Sequence, residues 1–185
     1  RKLLKWPLKE TSVYWQQNLL CMKLVALYTR QAFFHALDFQ MYDKIFAEYI
    51  FTISHGNFEM AGSASSSIKK ILKHMEMGKA FIRRVCIACY EVEMNMVIHS
   101  IGGKIRLEIL PNGVTIIAED FGPGIPDIEK ALKDGFSTAS KEIISKGFGA
   151  GRGFSNIKLN SDRFNINSQV GKGTRLELLF IFRKE

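Results

Sequence analysis

The stretch of the chain from residue 80 to residue 99 reads AFIRRVCIACYEVEMNMVIH and predicts a helix. From residue 85 to residue 98 it is apolar on nearly every side, which is typical of a helix buried at the centre of a domain. Glu91, Asn95 and His99 nevertheless follow one another at intervals of four residues, so they share one stripe. Burying an unpartnered polar group costs about 2–7 kcal/mol, so the stripe must meet either loop backbone or a polar ligand. The other charged residues of this segment are expected along an exposed edge, without a special role: Arg83, Arg84 and Glu93.

The residues on either side of this helix carry strand and helix patterns. A strand is predicted at Lys44–Ile53, and the serines after Gly62 offer N-caps to a helix that ends at Gly78. Strict alternation predicts a strand at Lys104–Leu110, which Pro111-Asn112-Gly113 turns back into a second strand. The remaining predicted elements are the strand Val114–Glu119, the helices Ile128–Lys133 and Phe154–Ser161, and the strands Arg163–Ser168 and Thr174–Phe182.

These elements do not alternate regularly between strand and helix, which disfavours a doubly wound parallel sheet. We therefore predict an α+β fold, a two-layer sandwich in which helices cover one face of a mixed, mainly antiparallel sheet.

A second polar cluster, EDFGPG at residues 119–124, ends a predicted strand. An aspartate that leaves a strand into Gly-x-Gly can point its carboxylate at a ligand, because Gly122 and Gly124 permit a close approach to the backbone. A carboxylate only accepts hydrogen bonds, so Asp120 suits a donor such as an exocyclic amine. A tight turn, favoured by Pro123 and Pro126, is the alternative interpretation.

A third cluster, GFGAGRG at residues 147–153, has glycine at every second position and leads directly into a predicted helix. Exposed amides at a helix N-terminus, with Arg152 beside them, favour an anion; a flexible linker is the alternative. Neither the Walker loop nor the Rossmann glycine motif fits the residues around Lys172 or Arg152. The sequence therefore predicts a phosphate site of another kind.

The composition is that of an ordinary globular chain, with 46% hydrophobic and 24% charged residues among 185. Collagen-like and wholly disordered classes are excluded. Three cysteines argue against a disulfide framework and for a reducing, cytoplasmic setting. Cys86 and Cys89 form a CxxC inside the apolar helix without a second pair, so we expect packing thiols rather than a metal site. No transmembrane helix or secretory signal is expected.

The first 41 residues differ from the rest, since they are rich in Trp, Phe, Leu and Gln and contain no glycine. They hold six Lys/Arg and two Asp/Glu, which is half of the net charge of +8. We interpret residues 1–41 as an N-terminal extension, either foreign to the natural protein or a docking helix at Val13–Phe39, and residues 42–185 as the domain. Charges in the domain are scattered, so no nucleic-acid partner is expected.

The order of the clusters resembles that of the histidine-kinase-like ATPases, which have the Bergerat fold, over residues 60–185. Within that superfamily the sequence is most similar to the anti-sigma-factor serine/threonine protein kinases. The segments that carry the similarity are EVEMNMVIH (91–99), DFGPGIPD (120–127), GFSTA (135–139), GFGAGRG (147–153) and VGKGT (170–174).

The resemblance implies an ATP site and a role for each residue at its adenine end. Asp120 would accept a hydrogen bond from the adenine amine, and Thr174 would support that aspartate or a water beside it. Gly122 and Gly124 would open room for the base. His99 would be a packing or ribose-side residue.

At the phosphate end, the resemblance implies that Asn95 holds Mg²⁺ through its side-chain oxygen and that Glu91 orients and deprotonates the attacking hydroxyl. The glycine-rich segment would close on the phosphates, and the γ-phosphate cation would be a lysine or arginine of that segment or a group from a partner. The residues assigned to this closure are Lys146, Gly149, Ala150, Gly151, Arg152 and Gly153.

The function implied is that of a cytoplasmic, Mg·ATP-dependent protein serine/threonine kinase. It would phosphorylate a small STAS-type antagonist, sequester a sigma factor or similar regulatory partner, or do both, as a monomer or a homodimer. Two alternatives stay open: a nucleotide-gated binding module without kinase activity, and the catalytic domain of a histidine kinase. The acidic neighbour expected beside a phospho-accepting histidine is missing at His35-Ala-Leu-Asp, which argues against the latter.

Overall fold

The computed structural model describes residues 45–145 and 148–183. Most predicted elements of this part are confirmed within a few residues of their bounds, whereas the helix Lys141–Ser145 lies in a stretch for which no helix was expected. The predicted N-terminal docking helix and Lys146 lie outside the described residues. In chain order the elements are β1 (Ala47–Ile53), α1 (Ser63–His74), α2 (Lys79–His99), β2 (Gly103–Leu110), β3 (Gly113–Asp120), α3 (Ile128–Ala131), α4 (Lys141–Ser145), α5 (Gly153–Asn160), β4 (Arg163–Gln169) and β5 (Gly173–Ile181).

The strands form one sheet in the order β1–β2–β3–β5–β4, and every described pair is antiparallel. Because side chains alternate between the two faces of a strand, register partners build apolar rows across the sheet. One row consists of Phe51, Ile105, Ala118, Leu176 and Ile166. The α+β prediction is confirmed, and the sheet expected to be mixed is wholly antiparallel among the described strands.

The helices pack on the face of the sheet that carries these rows. Val85, Ala88 and Val92 of α2 are fully buried in the same apolar cluster as Ile68 of α1 and Ile157 of α5. The opposite face of the sheet carries charged side chains, and on it Arg175 contacts both Glu119 and Glu177. No helix in the described ranges is long and apolar enough to cross a membrane.

Glu93 is the buried charge of α2, with 1% of its surface exposed, so the expectation that it lies on an exposed edge was wrong. Its Oε1 accepts hydrogen bonds from the backbone N–H groups of Gly62 and Ala64 at 3.0 and 3.1 Å, and its Oε2 accepts one from Ser65 at 3.0 Å. The first N–H groups of a helix have no partner inside the helix and favour a negative charge.

The expected serine N-cap of α1 is likewise absent, because Gly62 occupies the N-cap position and no side-chain cap is formed there. Glu93 takes over that function from another helix, and it thereby joins α1 to α2.

Arg84 also has a structural role, contrary to expectation. Its guanidinium donates to the carbonyl oxygen of Asn160 at 3.1 Å and lies 2.9 Å from Asp162. Burial alone would raise the pKa of Asp162, but hydrogen bonds from the Ile181 N–H, Arg183 and Arg84 lower it overall. The contribution of Asp162 to stability is therefore present at neutral pH and lost in acid. Arg83 is exposed, as expected.

We expect Glu93→Gln to lower the free energy of unfolding by about 2–4 kcal/mol. Glutamine offers one accepting oxygen instead of two, and its amide NH₂ would face a backbone N–H of α1. Urea unfolding followed by circular dichroism measures the loss, with the exposed Glu59→Gln as the matched control. Equal midpoints for the two variants would contradict the capping role.

Candidate functional site

A cavity of about 410 Å³ opens between α2 and the segments that follow β3 and precede α5. The structure brings nine of the predicted site residues into its wall: Glu91, Asn95, Asp120, Gly124, Gly149, Ala150, Gly151, Gly153 and Thr174. The three clusters that are separate in the sequence therefore share one space. Gly122 and Arg152 are not among the lining residues.

The polar stripe of α2 faces this cavity rather than neighbouring loop backbone. Glu91, Asn95 and His99 all line it, which decides between the two interpretations of the stripe. The Nδ2 atom of Asn95 is buried and has no hydrogen-bond partner among the described residues. Since buried polar groups are nearly always paired, this amide is held ready for a group that the protein itself does not supply.

Glu91 and Asn95 lie side by side against the first residue of α5. A Cβ atom built on Gly153 would lie 3.4 Å from both Glu91 Oε2 and Asn95 Oδ1. The other carboxylate oxygen of Glu91, Oε1, accepts a hydrogen bond of 2.7 Å from Asn156 Nδ2. Asn156 thus fixes the carboxylate in place and leaves its second oxygen near the cavity.

Asp120 stands at the end of β3, where its Oδ1 accepts a hydrogen bond from the Thr174 N–H at 3.3 Å. Burial raises the pKa of Asp120 above its ordinary value, and the hydrogen bond from Thr174 opposes that rise only in part. The environment therefore holds a carboxylate at a free-energy cost, which is common where a charge serves a ligand rather than the fold.

Ser168 ties the segments around Asp120 together. Its hydroxyl accepts a hydrogen bond from the Ile125 N–H at 2.8 Å, lies 2.8 Å from Thr174 Oγ1 and donates to the Gly173 carbonyl oxygen at 3.1 Å. The loop after β3 is thereby joined to the β4–β5 turn, so this end of the cavity is rigidly built.

The two glycines of the DFGPG cluster make room for neighbouring groups of the protein. A Cβ atom on Gly122 would lie 2.9 Å from Asp120 Oδ1 and 3.1 Å from the Cα of Ser100, and one on Gly124 would lie 2.3 Å from the carbonyl oxygen of Gln169. Each glycine therefore lets a neighbouring segment pack closely beside Asp120, and Gly124 also lines the cavity.

The glycine-rich segment contacts the chain before it through the pair Gly135 and Gly151. The Gly135 N–H donates to the Gly151 carbonyl oxygen at 2.9 Å, and a Cβ atom on Gly151 would lie 2.5 Å from the carbonyl carbon of Gly135. Beside this contact the Ser155 hydroxyl donates to Asp134. The segments GFSTA and GFGAGRG are thus drawn together at their bases, over the cavity.

The family profile described as histidine kinase-, DNA gyrase B- and HSP90-like ATPase matches residues 80–184. The chain belongs to this ATPase family. The match starts with α2 and includes Asp120, the glycine-rich segment and Thr174, so it spans the whole cavity wall described above. Membership in this ATPase family implies that the chain binds ATP. We call the cavity whose wall the match spans the ATP cavity.

Curated relatives show which members of the ATPase family the chain is similar to. The chain is 34% identical over 115 residues to the serine/threonine-protein kinase RsbT of Bacillus subtilis, which is 60% of this chain and 80% of the relative. It is 35% identical over 96 residues to an anti-sigma F factor of Caldanaerobacter subterraneus, which is 49% of this chain and 64% of the relative. The resemblance to anti-sigma-factor kinases inferred from the motifs is confirmed.

The cation that lines the cavity among the described residues is not one of the two expected from the sequence, Lys146 and Arg152. Arg152 is exposed at the N-cap of α5 and does not line the cavity, and Lys146 lies outside the described residues. Within the described part of the chain, Lys130 of α3 is the lysine that lines the cavity. Its Nζ atom lies 5.0 Å from the centre of the Phe136 ring, a cation–π contact with another residue of the cavity wall.

His99 stands at the mouth of the ATP cavity. Its Nδ1 lies 3.5 Å from Thr138 Oγ1, and burial lowers the pKa of its ring. A neutral imidazole with a hydroxyl neighbour fits the packing or ribose-side role expected of it.

Cys89 is fully buried and Cys86 half-buried. The described residues contain no group of three or more His, Cys, Asp or Glu side chains that could hold a metal ion.

Asn156, Ser168 and Lys130 are the site residues that sequence reasoning missed. Asn156 lies three residues after Gly153 on a short helix, and nothing in that pattern indicates which carboxylate it meets. Ser168 stands at the end of a strand that reads as an ordinary polar edge. Lys130 follows the N-cap Asp127 by three residues, and only its position beside the ATP cavity distinguishes it from other surface lysines.

We expect Asp120→Asn to raise the thermal stability of the ATP-free protein at neutral pH. The raised pKa means that ionised Asp120 destabilises the fold, and this penalty is absent below the ordinary pKa of Asp and complete above the raised value. The stability gain should therefore shrink as the pH falls toward the ordinary pKa of aspartate. Thermal unfolding at a series of pH values tests this; a variant less stable than the wild type at every pH would refute it.

The contact between Gly135 and Gly151 gives a second prediction. Gly151→Ala places a methyl group against the Gly135 backbone, whereas Gly135→Ala meets nothing within 4 Å, and both residues have positive φ values of 75° and 80°. Both alanines should cost about 1–2 kcal/mol of backbone strain, but only Gly151→Ala should also open the base of the segment. Hydrogen exchange of peptides that span residues 133–152 measures this, and equal exchange in the two variants would argue against it.

Proposed function

We propose that this chain is a Mg·ATP-dependent protein serine/threonine kinase of the anti-sigma regulatory factor type. The observation that carries the proposal is the arrangement of Glu91 and Asn95, which lie together on the wall of the ATP cavity and meet at Gly153. The names of the curated relatives, a serine/threonine-protein kinase and anti-sigma F factors, support it.

At the adenine end, Asp120 accepts a hydrogen bond from the exocyclic amine of the base. Thr174 supports it, since the Thr174 N–H already holds one carboxylate oxygen in place. A carboxylate whose pKa is raised by burial gains from a donor at its free oxygen, because the new hydrogen bond offsets part of the burial cost. Adenine therefore offsets part of the free-energy cost of burying the ionised Asp120 carboxylate.

The residues at the phosphate end fit Mg²⁺. Asn95 Oδ1 and Glu91 Oε2, which lie side by side next to Gly153, are oxygen atoms of the kind that this ion prefers. The unpartnered Nδ2 of Asn95 is a hydrogen-bond donor and fits a phosphate oxygen rather than the ion. Asn95 would hold the ion through Oδ1, with its other ligands taken from substrate phosphates and water. When bound, Mg²⁺ neutralises charge on the phosphate oxygens.

Glu91 acts as the general base in the transfer step. It takes the proton of a serine or threonine hydroxyl on the partner, whose oxygen bonds to the γ-phosphorus while the bond to the β-phosphate oxygen breaks, giving ADP and a phosphoprotein. Asn156 keeps the carboxylate in position. The backbone amides of the glycine-rich segment and the ammonium group of Lys130 stabilise the negative charge on the transferred phosphoryl group. Lys146, just before the glycine-rich segment, and Arg152, within it, are further cations for this role.

We infer that the phosphate acceptor is a small STAS-type antagonist protein and that the chain sequesters a sigma factor or similar regulator in the cytoplasm. A name such as anti-sigma F factor, carried by relatives of which the chain covers 64%, supports a regulatory protein partner of this class. A nucleotide-gated binding module without phosphoryl transfer is the competing function, and the following experiment separates the two.

We expect Glu91→Gln to lower the rate of phosphoryl transfer by about 10²–10⁴-fold while ATP binding stays near that of the wild type. Glutamine can still accept the hydrogen bond of Asn156 but no longer takes a proton. Intact-mass spectrometry measures transfer to the purified STAS-domain proteins of the organism that encodes the chain. A thermal shift with Mg·ATP measures binding, for which saturation at 100 times the dissociation constant adds about 2.7 kcal/mol.

Two variants complete this experiment. The exposed Glu129→Gln, outside the cavity wall, is the matched control and should keep both activities. Asp120→Asn should reduce the Mg·ATP shift, since an amide NH₂ then faces the amine of adenine. If the wild type binds ATP and phosphorylates none of the STAS proteins, the binding module is the correct function; if it shows no Mg·ATP shift, the ATP site itself is refuted.

A further inference from the structure

A second concave surface runs along the outer side of α1 and α2 and has a volume of about 790 Å³. We call it the basic groove. α1 contributes Lys69 and Lys73 to its rim, and α2 contributes Lys79 and Arg83. All four side chains are exposed, and none of them makes an ion pair with another residue of the described ranges. The rim therefore carries four positive charges that no ion pair among the described residues neutralises.

The floor of the basic groove is apolar. Met77, Ile82 and Ile87 line it, and Tyr90 lies at one end with 38% of its surface exposed. The α2 residues of the groove recur at helical spacing from Lys79 to Tyr90, so one face of this helix forms the whole length of one wall. A positive rim over an apolar floor fits a ligand that has both acidic and apolar side chains.

The electrostatic potential of the rim lysines extends to Cys86, inside the groove. Burial raises the pKa of the Cys86 thiol, and the nearby Lys69 and Lys73 act in the opposite direction by favouring the thiolate. Cys86 lies on the groove wall between the two helices, so an acidic group seated on the floor would feel the same favourable potential.

Glu91 lines both the basic groove and the ATP cavity. The groove therefore runs up to Glu91, the residue that takes the proton of the acceptor hydroxyl in the function proposed above. A peptide segment that lies in the groove can reach Glu91 with its next residues without leaving the protein surface.

We propose that the basic groove docks an acidic, apolar-interleaved segment of the protein substrate and thereby delivers the adjacent serine or threonine to Glu91. This proposal rests on the proposed kinase function and names the chemistry of its substrate. Four cations at the rim give affinity and steering toward acidic residues, while the apolar floor selects segments that also carry large hydrophobic side chains.

Other occupants fit the groove less well. A nucleic acid would leave the apolar floor without a partner. Residues 1–44 of this chain carry seven Lys/Arg and three Asp/Glu, so the rim would repel that segment. Charge complementarity therefore favours an acidic segment of another protein.

The test uses the full chain and a fluorescein-labelled peptide in which Asp and Glu alternate with Leu around one Ser. Fluorescence anisotropy measures its binding to the wild type, to Lys69→Glu/Lys73→Glu and to the control Lys158→Glu/Lys172→Glu, whose lysines are exposed outside the groove. The first double variant should bind about tenfold or more weakly, and the control as tightly as the wild type. Added salt should weaken binding to the wild type.

Four results would overturn the docking proposal: no binding of the acidic peptide to the wild type, equal binding by both double variants, equal binding of a peptide with Lys in place of the acidic residues, or displacement by a single-stranded oligonucleotide at equal charge. The Mg·ATP thermal shift is measured on the same proteins. If a variant loses peptide binding but keeps the Mg·ATP shift, its defect lies in the groove. If no protein shows the Mg·ATP shift, the proposed kinase function fails instead.

Discussion

The buried carboxylate of Glu93 is the interaction on which the orientation of the central helix depends. Successive residues of a helix are about 100° apart, so Glu91 and Glu93 point to opposite sides of α2. Three backbone N–H groups of α1 hold Glu93 on one side. The helix cannot rotate without breaking them, and this constraint keeps Glu91 and Asn95 turned toward the ATP cavity. The same contact fixes α1 beside α2, so it also shapes the groove between them.

Local pattern was enough to predict the parts of the site that depend on one element at a time. The spacing of Glu91 and Asn95 identified a polar stripe, and the glycines after Asp120 identified a carboxylate at the end of a strand; both lie in the cavity. The contacts between elements could not be predicted in this way. Glu93 reads as a surface charge until α1 is placed over it, and Asn156 meets Glu91 across 65 residues of sequence. Whether such a side chain is buried, and which partner it meets, depends on an element distant in sequence, which the local pattern does not reveal.

The glycines illustrate the same distinction. The sequence predicts that Gly122 and Gly124 let a ligand approach the backbone. In the structure the space beside Gly122 is taken by Asp120 Oδ1 and Ser100, and the space beside Gly124 by the Gln169 backbone. The two glycines thus let three segments converge around Asp120, and Ser168 then holds these segments together. The rigidity of the adenine end is therefore a property of the backbone arrangement more than of any single side chain.

The hydrogen bond between Gly135 and Gly151 has an evolutionary consequence. It closes the intervening chain into a loop whose two ends are fixed to each other. Doubling the length of a flexible loop costs only about 0.6 kcal/mol of closure entropy. Insertions, deletions and exchanges between the two glycines can thus accumulate at little cost to the sheet below, and this interval is where we expect lineages of the family to diversify their responses to different regulators.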